Sequence, residues 1–256
     1  KVISIPALSD AELASAIGWQ AEQHIPIPKD DLSLEYQVLY RPDKSEKDIP
    51  MRVLLVGARQ SLVERYVECF IEIGIEPQFL ETQTLALHRA LHLTSSDLTT
   101  MVAHIGFSTL DIAISKGAEF GFVFSHPQGG MLLTRAIENA LQLPAQQAEE
   151  YKRTYGLDER YFEGKVQQSL IPVVRGFIDN MMKAMQFYSS QNPQDQVGRV
   201  IISGGSAQLP QFVSYAAAAL GLEVLLMSPF SQVQGEIPQA NHTAYSVCMG
   251  MILRNG

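Results

Sequence analysis

A run of β-branched residues ending on two adjacent glycines constrains this chain most. Val200-Ile201-Ile202 suits a buried strand. Ser203-Gly204-Gly205-Ser206 follows at once, and Ala207, Leu209, Phe212 and Val213 then begin a helical pattern, with Ser206 as the expected N-cap. Paired glycines let a backbone take positive φ and come close to a neighbour where a Cβ would collide. Strand, glycine turn, helix is how an α/β protein offers a side-chain-free edge to a nucleotide. Taken alone, such a turn reads better as a tight βα connection without a ligand. A second glycine-bearing unit upstream shifts that balance.

That unit spans Thr100 to Ile114 and reads as strand, tight turn, strand, with Gly106, Ser108 and Thr109 at the tip. Backbone N–H groups and hydroxyls there suit phosphate oxygens, although a plain hairpin explains the same residues. Glu119 to Ser125 reads as a further strand. Gly129-Gly130 then opens a helix over Leu132 to Leu141, with Thr134 as its expected cap. Glu149 and Lys152 lie three apart on a short helix, so they share a face. Their spacing favours a solvated ion pair over a contact to a ribose or base. Val166 to Tyr188 is a long helix whose stripe of Leu170, Val174, Phe177, Met181 and Met185 reads as core. A helix over Pro210 to Leu220, a strand near Val224 to Met227 and a last helix over Thr243 to Arg254 follow, and Gly250 in that helix implies close packing.

The first ninety residues form a smaller α/β pattern. Ser9-Asp10-Ala11-Glu12 matches a capping box, and its helix should end before Pro26 and Pro28. Leu32 to Tyr40 alternates as a half-exposed strand, Pro42 to Pro50 is a charged loop, and Arg52 to Gly57 is a buried strand. Ser61 to Ile73 is amphipathic and is closed by Gly74. Ile75 to Leu80 reads as a strand and Thr84 to Leu91 as a helix. Trp19 reads as core, with an exposed peptide anchor as the second reading. His24, His88 and His92 have no carboxylate or thiol partners at metal-ligand spacing, so they read as structural or surface residues.

Composition excludes several function classes. Lys and Arg total 19 against 27 Asp and Glu, a net charge of −8, with no basic stripe for nucleic acid. Cys69 and Cys248 sit in apolar helical contexts and read as buried free thiols in a reducing compartment. The longest apolar stretch, Tyr215 to Met227, is interrupted by Gly221 and Glu223 and is too short to span a bilayer. The chain opens on Lys1 inside a strand-like run, with no initiator Met, which points to a fragment of a longer protein.

These motifs occur in one order that resembles the actin-like (ribonuclease H-like) ATPase fold, and within it the PilM family of type IV pilus assembly proteins, relatives of the cell-division protein FtsA. ELASAIGWQAEQHIP and VLLVGARQSLVERYVECFIEIGIEPQFLE resemble that family's first-lobe signature. IGFST resembles its second phosphate loop, QGGMLLTRAI its GG-x-x-x-T segment, AEEYKRTYG its AE-x-x-K motif and ISGGSAQLPQF its adenosine loop. The last three are shared across the wider superfamily.

The resemblance implies a two-lobed α/β fold. Residues 1–93 would form a 1C-like subdomain, 94–242 a nucleotide-binding lobe, and 243–256 a helix returning to the first lobe. Gly106, Ser108 and Thr109 would face phosphates, with Gly129 and Gly130 beside them. Glu149 and Lys152 would contact ribose and adenine, and Gly204, Gly205 and Ser206 would pass beside the adenosine. The cofactors implied are ATP and Mg²⁺ in the full-length protein. The partners implied are the N-terminal cytoplasmic peptide of a PilN-like inner-membrane protein, other pilus platform proteins and further copies of the chain. The location implied is cytoplasmic, peripheral to the inner membrane through that partner. Two departures matter. His104 stands where the family usually has a carboxylate, which argues for weak or no ATPase activity. The D-x-G hairpin of the first phosphate loop and most of subdomain 1A are absent, so this segment is expected to hold no ordered ATP alone. The competing readings are a sugar- or acetate-kinase-like or chaperone-like ATPase and an FtsA-like polymer former, which fold alone does not separate.

Overall fold

The computed structural model describes residues 1–43, 49–92, 98–117, 119–231, 233–237 and 242–254. Its contacts divide the chain into two compact units, Lys1–Thr82 and Gln83–Gly256. The division falls after Thr82, and the boundary read from sequence at 93/94 lies outside the described residues, as does most of the charged loop before Pro50.

The first unit runs β1 (Val2–Ile5), α1 (Asp10–His24), β2 (Leu32–Tyr40), β3 (Met51–Arg59) and α2 (Gln60–Glu72). Its antiparallel sheet has the order β1-β3-β2. The capping box forms as read: the Glu12 N–H donates to Ser9 Oγ and the Ser9 N–H donates to Glu12 Oε2. Leu13 and Ile17 of α1 then meet Ile3, Ile5, Met51, Val53 and Leu55 in a small core. No residue of α2 is buried.

Three expectations for this unit need correction. Ile75–Leu80 is irregular rather than a strand, and Ile75, Phe79 and Leu80 are exposed. Pro77 has no N–H to give a ladder, and an apolar run makes no strand without a neighbour to share its hydrogen bonds. Trp19 is 61% exposed rather than core, because Leu13, Ile17 and Ala21 already fill the buried side of α1. Cys69 is exposed on α2, and Cys248 of the second unit is exposed too, so neither thiol is buried.

The second unit contains α3 (Gln83–His92), β4 (Thr100–Ile105), β5 (Leu110–Lys116), β6 (Glu119–His126), α4 (Gly130–Leu141), α5 (Ala145–Tyr155), α6 (Lys165–Gln191), β7 (Arg199–Ser203), α7 (Phe212–Leu220), β8 (Glu223–Leu226) and α8 (Ser246–Ile252). The sheet order is β6-β5-β4-β7-β8. β4 pairs antiparallel with β5 and parallel with β7.

Strand alternation sorts the two faces of this sheet. Met101, Ala103 and Ile105 of β4 point into a large core with Leu133 and Ile137 of α4, Phe177 and Met181 of α6, and Phe212 of α7. Val102 points the other way, with Ile201, to Leu87 and Leu91 of α3 and Val247 of α8. The methionine stripe of α6 is therefore core, as its spacing implies. Gly250 brings α8 against α3: a Cβ there would stand 1.8 Å from the Ala86 carbonyl oxygen. His88 is buried on α3 and stacks on Phe120 at 3.8 Å. No described helix is long and apolar enough to cross a membrane.

Candidate functional site

The two central strands of the second sheet end side by side, so the turns that follow them must share space. β4 leads into the Gly106–Thr109 turn, and β7 leads into Ser203–Ser206. Gly204 holds φ +92°, and a Cβ there would sit 2.4 Å from the Ile105 carbonyl oxygen. Its N–H donates to Thr243 O at 3.1 Å. Gly204 is thus committed to backbone packing. At its neighbour Gly205 an added Cβ would meet nothing within 4 Å, because that residue faces open space. Ser206 lies inside a short 3₁₀ turn, Gly205–Gln208, and caps no helix; α7 starts later, at Phe212.

A third turn closes on the first. Gly129 precedes α4, and a Cβ on it would lie 2.6 Å from the Phe107 carbonyl. The Gly130 N–H donates to Gly106 O and the Met131 N–H to Phe107 O, each at 2.9 Å. The N-terminal amides of α4 are therefore satisfied by hairpin carbonyls, which needs a glycine at the point of contact. A Cβ on Gly130 would also stand 2.2 Å from Ser206 Oγ. Gly130 is the residue at which the three turns meet.

A cavity of about 860 Å³ opens beside that junction. Gly106 and Phe107 of the hairpin, Gly205 and Ser206 of the β7 turn, and Gly130 and Met131 of α4 form one side. Thr134, Arg135 and Glu138 of α4 and Gln146, Glu149, Lys152 and Arg153 of α5 form the other. Of the sequence-predicted residues, Gly106, Gly130, Glu149, Lys152, Gly205 and Ser206 line it. Ser108, Thr109, Gly129 and Gly204 stand in the supporting turns. Phe107, Met131, Arg135 and Arg153 line the cavity too, and their one signal in the sequence is that they lie within IGFST, QGGMLLTRAI and AEEYKRTYG.

Thr134 does not cap α4, whose N-cap is Gly129. Its Oγ1 donates to Glu149 Oε2 at 2.6 Å and lies 3.3 Å from Gly130 O. Lys152 is buried rather than solvated. Its Nζ donates to Glu149 Oε2 at 2.5 Å, to Thr134 Oγ1 at 3.0 Å and to Gly130 O at 3.3 Å. Arg153 Nε donates to Glu149 Oε1 at 2.8 Å. Partial burial works to raise the Glu149 pKa, but hydrogen bonds from Lys152, Thr134 and Arg153 outweigh it and hold the group below its ordinary value.

His104 is buried on β4, with Nδ1 3.2 Å from Ser203 Oγ. It stands directly across from Asp111 on β5. Burial lowers its pKa below the ordinary 6.5, against the opposing pull of Asp111. Burial thus favours the neutral ring. Asp111 Oδ2 accepts from Thr109 Oγ1 at 2.9 Å, which fixes the hairpin tip.

The chain matches the family model described as type IV pilus assembly protein PilM over residues 1–256. It is 22% identical over 222 residues to the cell division protein FtsA of Neisseria meningitidis serogroup B, covering 78% of this chain and 53% of that one. The chain thus spans about half the length of that curated relative. Among solved structures, it resembles one of a PilM-PilN type IV pilus biogenesis complex, with a TM-score of 0.83 and 23% identity over 99% of this chain and 75% of the other. It also resembles MreB 5 of Spiroplasma citri bound to AMPPNP, with a TM-score of 0.57 and 14% identity over 77% of this chain and 64% of the other. These likenesses show the actin-like ATPase fold. The match over residues 1–256 shows that the chain belongs to the family of the type IV pilus assembly protein PilM.

Proposed function

We propose that this chain is the nucleotide-binding part of an adaptor in the inner-membrane platform of a type IV pilus. In the full-length protein, ATP with Mg²⁺ occupies the cavity beside Gly130. The first unit takes the N-terminal cytoplasmic peptide of a PilN-like membrane protein. The observation that carries the nucleotide reading is the convergence of three glycine turns on one cavity of about 860 Å³. That size falls in the range of small-molecule sites, and glycines at such junctions let a ligand approach backbone. Gly106, Ser108, Thr109, Gly129 and Gly130 build the phosphate end. Gly204, Gly205 and Ser206 build the adenosine end, and Glu149 and Lys152 form the wall between α4 and α5. Arg135 and Arg153 supply positive charge at the rim. Mg²⁺ neutralises phosphate charge when bound, and it takes most of its ligands from phosphates and water. That fits a hairpin whose own carboxylate, Asp111, already accepts from Thr109.

Turnover needs a base to orient or deprotonate water. His104 is tied to Ser203 and Asp111 to Thr109, so the reading is binding with weak or no hydrolysis. That disfavours a kinase. The comparison with a PilM-PilN complex supports the partner, and the exposed Trp19 on α1 is an aromatic anchor of the kind peptide sites use. Through that partner the protein sits at the cytoplasmic face of the inner membrane.

Calorimetry of the full-length protein with ATP and Mg²⁺ tests the first claim. Gly205→Ala puts a methyl into open cavity space, so it should weaken ATP by about tenfold or more while the melting temperature stays put. Unchanged affinity would remove the β7 turn from the site. Titration with a PilN-like N-terminal peptide tests the second claim. Trp19→Ala should weaken that binding by at least about tenfold, and no change would move the peptide elsewhere.

A further inference from the structure

We propose that the outer edge of β6 is a self-association surface: a second copy of this chain adds its own β6 there, antiparallel, about a two-fold axis at Val123. Two five-stranded sheets then join into one. Nucleotide plays no part in this pairing, so it stands or falls apart from the site beside Gly130.

β6 pairs with β5 on one side, and no described strand pairs with its other side. Such an edge offers a row of N–H and C=O groups to any extended chain, and natural edges are blunted by charges, lysines or prolines. Phe120-Gly121-Phe122-Val123-Phe124-Ser125 carries none of these. Its one irregularity is a bulge. Phe122 pairs with Ile114 and Phe120 with Ser115, so Gly121 is the extra residue. A Cβ on Gly121 would stand 2.3 Å from the Tyr188 ring of α6, so this place takes glycine. The bulge shifts the alternation of faces. Phe120 lies on the α3 side, stacked on His88, whereas Phe122 and Phe124 lie on the α6 side and are only partly buried. Phe187 of α6 is 53% exposed, with its ring 5.3 Å from that of Phe122. An aromatic row thus runs along the open edge.

The strand itself selects the occupant. A two-fold antiparallel pair keeps each face on its own side, so every residue must meet one of the same face. With Val123 on the axis, Phe122 meets the second copy's Phe124. The second copy's bulge then absorbs one residue, so Ser125 meets its Phe120 and His126 meets its Glu119. Each meeting joins residues of one face. Aromatic pairs directly opposite each other stabilise a sheet, and an imidazole N–H donates to a carboxylate. Moving the axis to Phe122 or to Phe124 sets Glu119 or His126 against a phenyl ring instead. The two ends of β6 therefore complement each other in one register, and that match to its own reverse favours a second copy over an unlike partner.

Sedimentation without nucleotide should show a monomer–dimer equilibrium, and a chain that stays monomeric at about 100 μM overturns the proposal. Val123→Lys sets two ammoniums against each other across the axis and should weaken the dimer by about tenfold or more. A dimer that ignores this change forms elsewhere, which also overturns the proposal. His126→Glu should weaken it as well, by placing two carboxylates together, and adding Glu119→Lys should restore it. Failure of that rescue overturns the register. Cross-linking gives a separate arm. With Cys69→Ser and Cys248→Ser as background, Val123→Cys should form a disulfide-linked dimer in oxidised glutathione, because the residue on the axis faces its own copy. Ser125→Cys should not. Cross-linking at position 125 in preference to 123 overturns the proposal. Val123→Cys is a small change at a partly exposed position, so it answers the question even where Val123→Lys disturbs the fold.

Discussion

α2 of the first unit and α4 of the second are amphipathic helices of 13 and 12 residues with opposite fates. In α4, Leu133 and Ile137 point into the main core, and the polar side, Thr134, Arg135 and Glu138, walls the cavity. In α2, Val63, Tyr66, Val67, Phe70 and Ile71 make an equally regular stripe, yet Tyr66 is 55% and Ile71 56% exposed. A periodic stripe records that a helix has an apolar side. What covers that side depends on neighbours, and α4 has the sheet, α5 and α6 around it. Leu133 and Ile137 of α4 are committed to the core, whereas the stripe of α2 is not.

The largest effect should come from the committed helix. Leu133→Ala empties a site 1% exposed and should cost about 2–5 kcal/mol in denaturant unfolding. Hydrogen exchange should show protection lost in β4, β5 and β7 and kept in β2 and β3. Equal loss in both units would break the contrast between them. Next comes Gly204→Ala, where positive φ and the Ile105 carbonyl both oppose a Cβ; about 2–4 kcal/mol is expected. A melting temperature unchanged by that substitution would mean that the turn relaxes freely.

A smaller effect is set by pH. His104 has a folded pKa below the ordinary 6.5, so below that value the unfolded chain binds its proton first. The stability it confers is whole above pH 6.5 and is lost as pH falls through the folded value. Urea midpoints should therefore hold between about pH 7 and 8 and fall below about 6.5, and His104→Asn should shrink that fall. His24, also lowered by burial, retains part of it. An equal fall in the variant would place the titrating group elsewhere. The smallest effect should be Ile71→Ser on α2, within about 0.5 kcal/mol of wild type in the same unfolding assay. A cost near that of Leu133→Ala would show that the stripe is covered in solution after all.

Local signals were legible in the sequence where the cause is itself local. The Ser9 box, the strand before Gly204, the break before Pro26 and the Met181 stripe all follow from residues a few positions apart. Signals that need a distant partner were not. Lys152 reads as half of a surface pair because Glu149 is its only visible neighbour, while Thr134 and Gly130 arrive from another helix. Trp19 reads as core from its type alone, although α1 had already filled its buried side. At the candidate site the glycines were visible, but their division of labour was not. Gly204 and Gly205 are adjacent and identical, and only the Ile105 backbone tells them apart.

The parallel pairing of β4 with β7 also sets a timetable. His104 and Ser203 are 99 residues apart along the chain. At synthesis rates of about 5–20 residues per second, the hairpin waits roughly 5–20 s for the strand that completes the junction. Over that interval β4 has β5 on one side and a bare edge on the other, the kind of edge that recruits stray strands. Closure across so long a separation is slow in any chain. The nascent protein therefore carries a finished half of its cavity for seconds before it can hold anything there, and its vulnerable period on the ribosome ends when Ser203 docks beside His104.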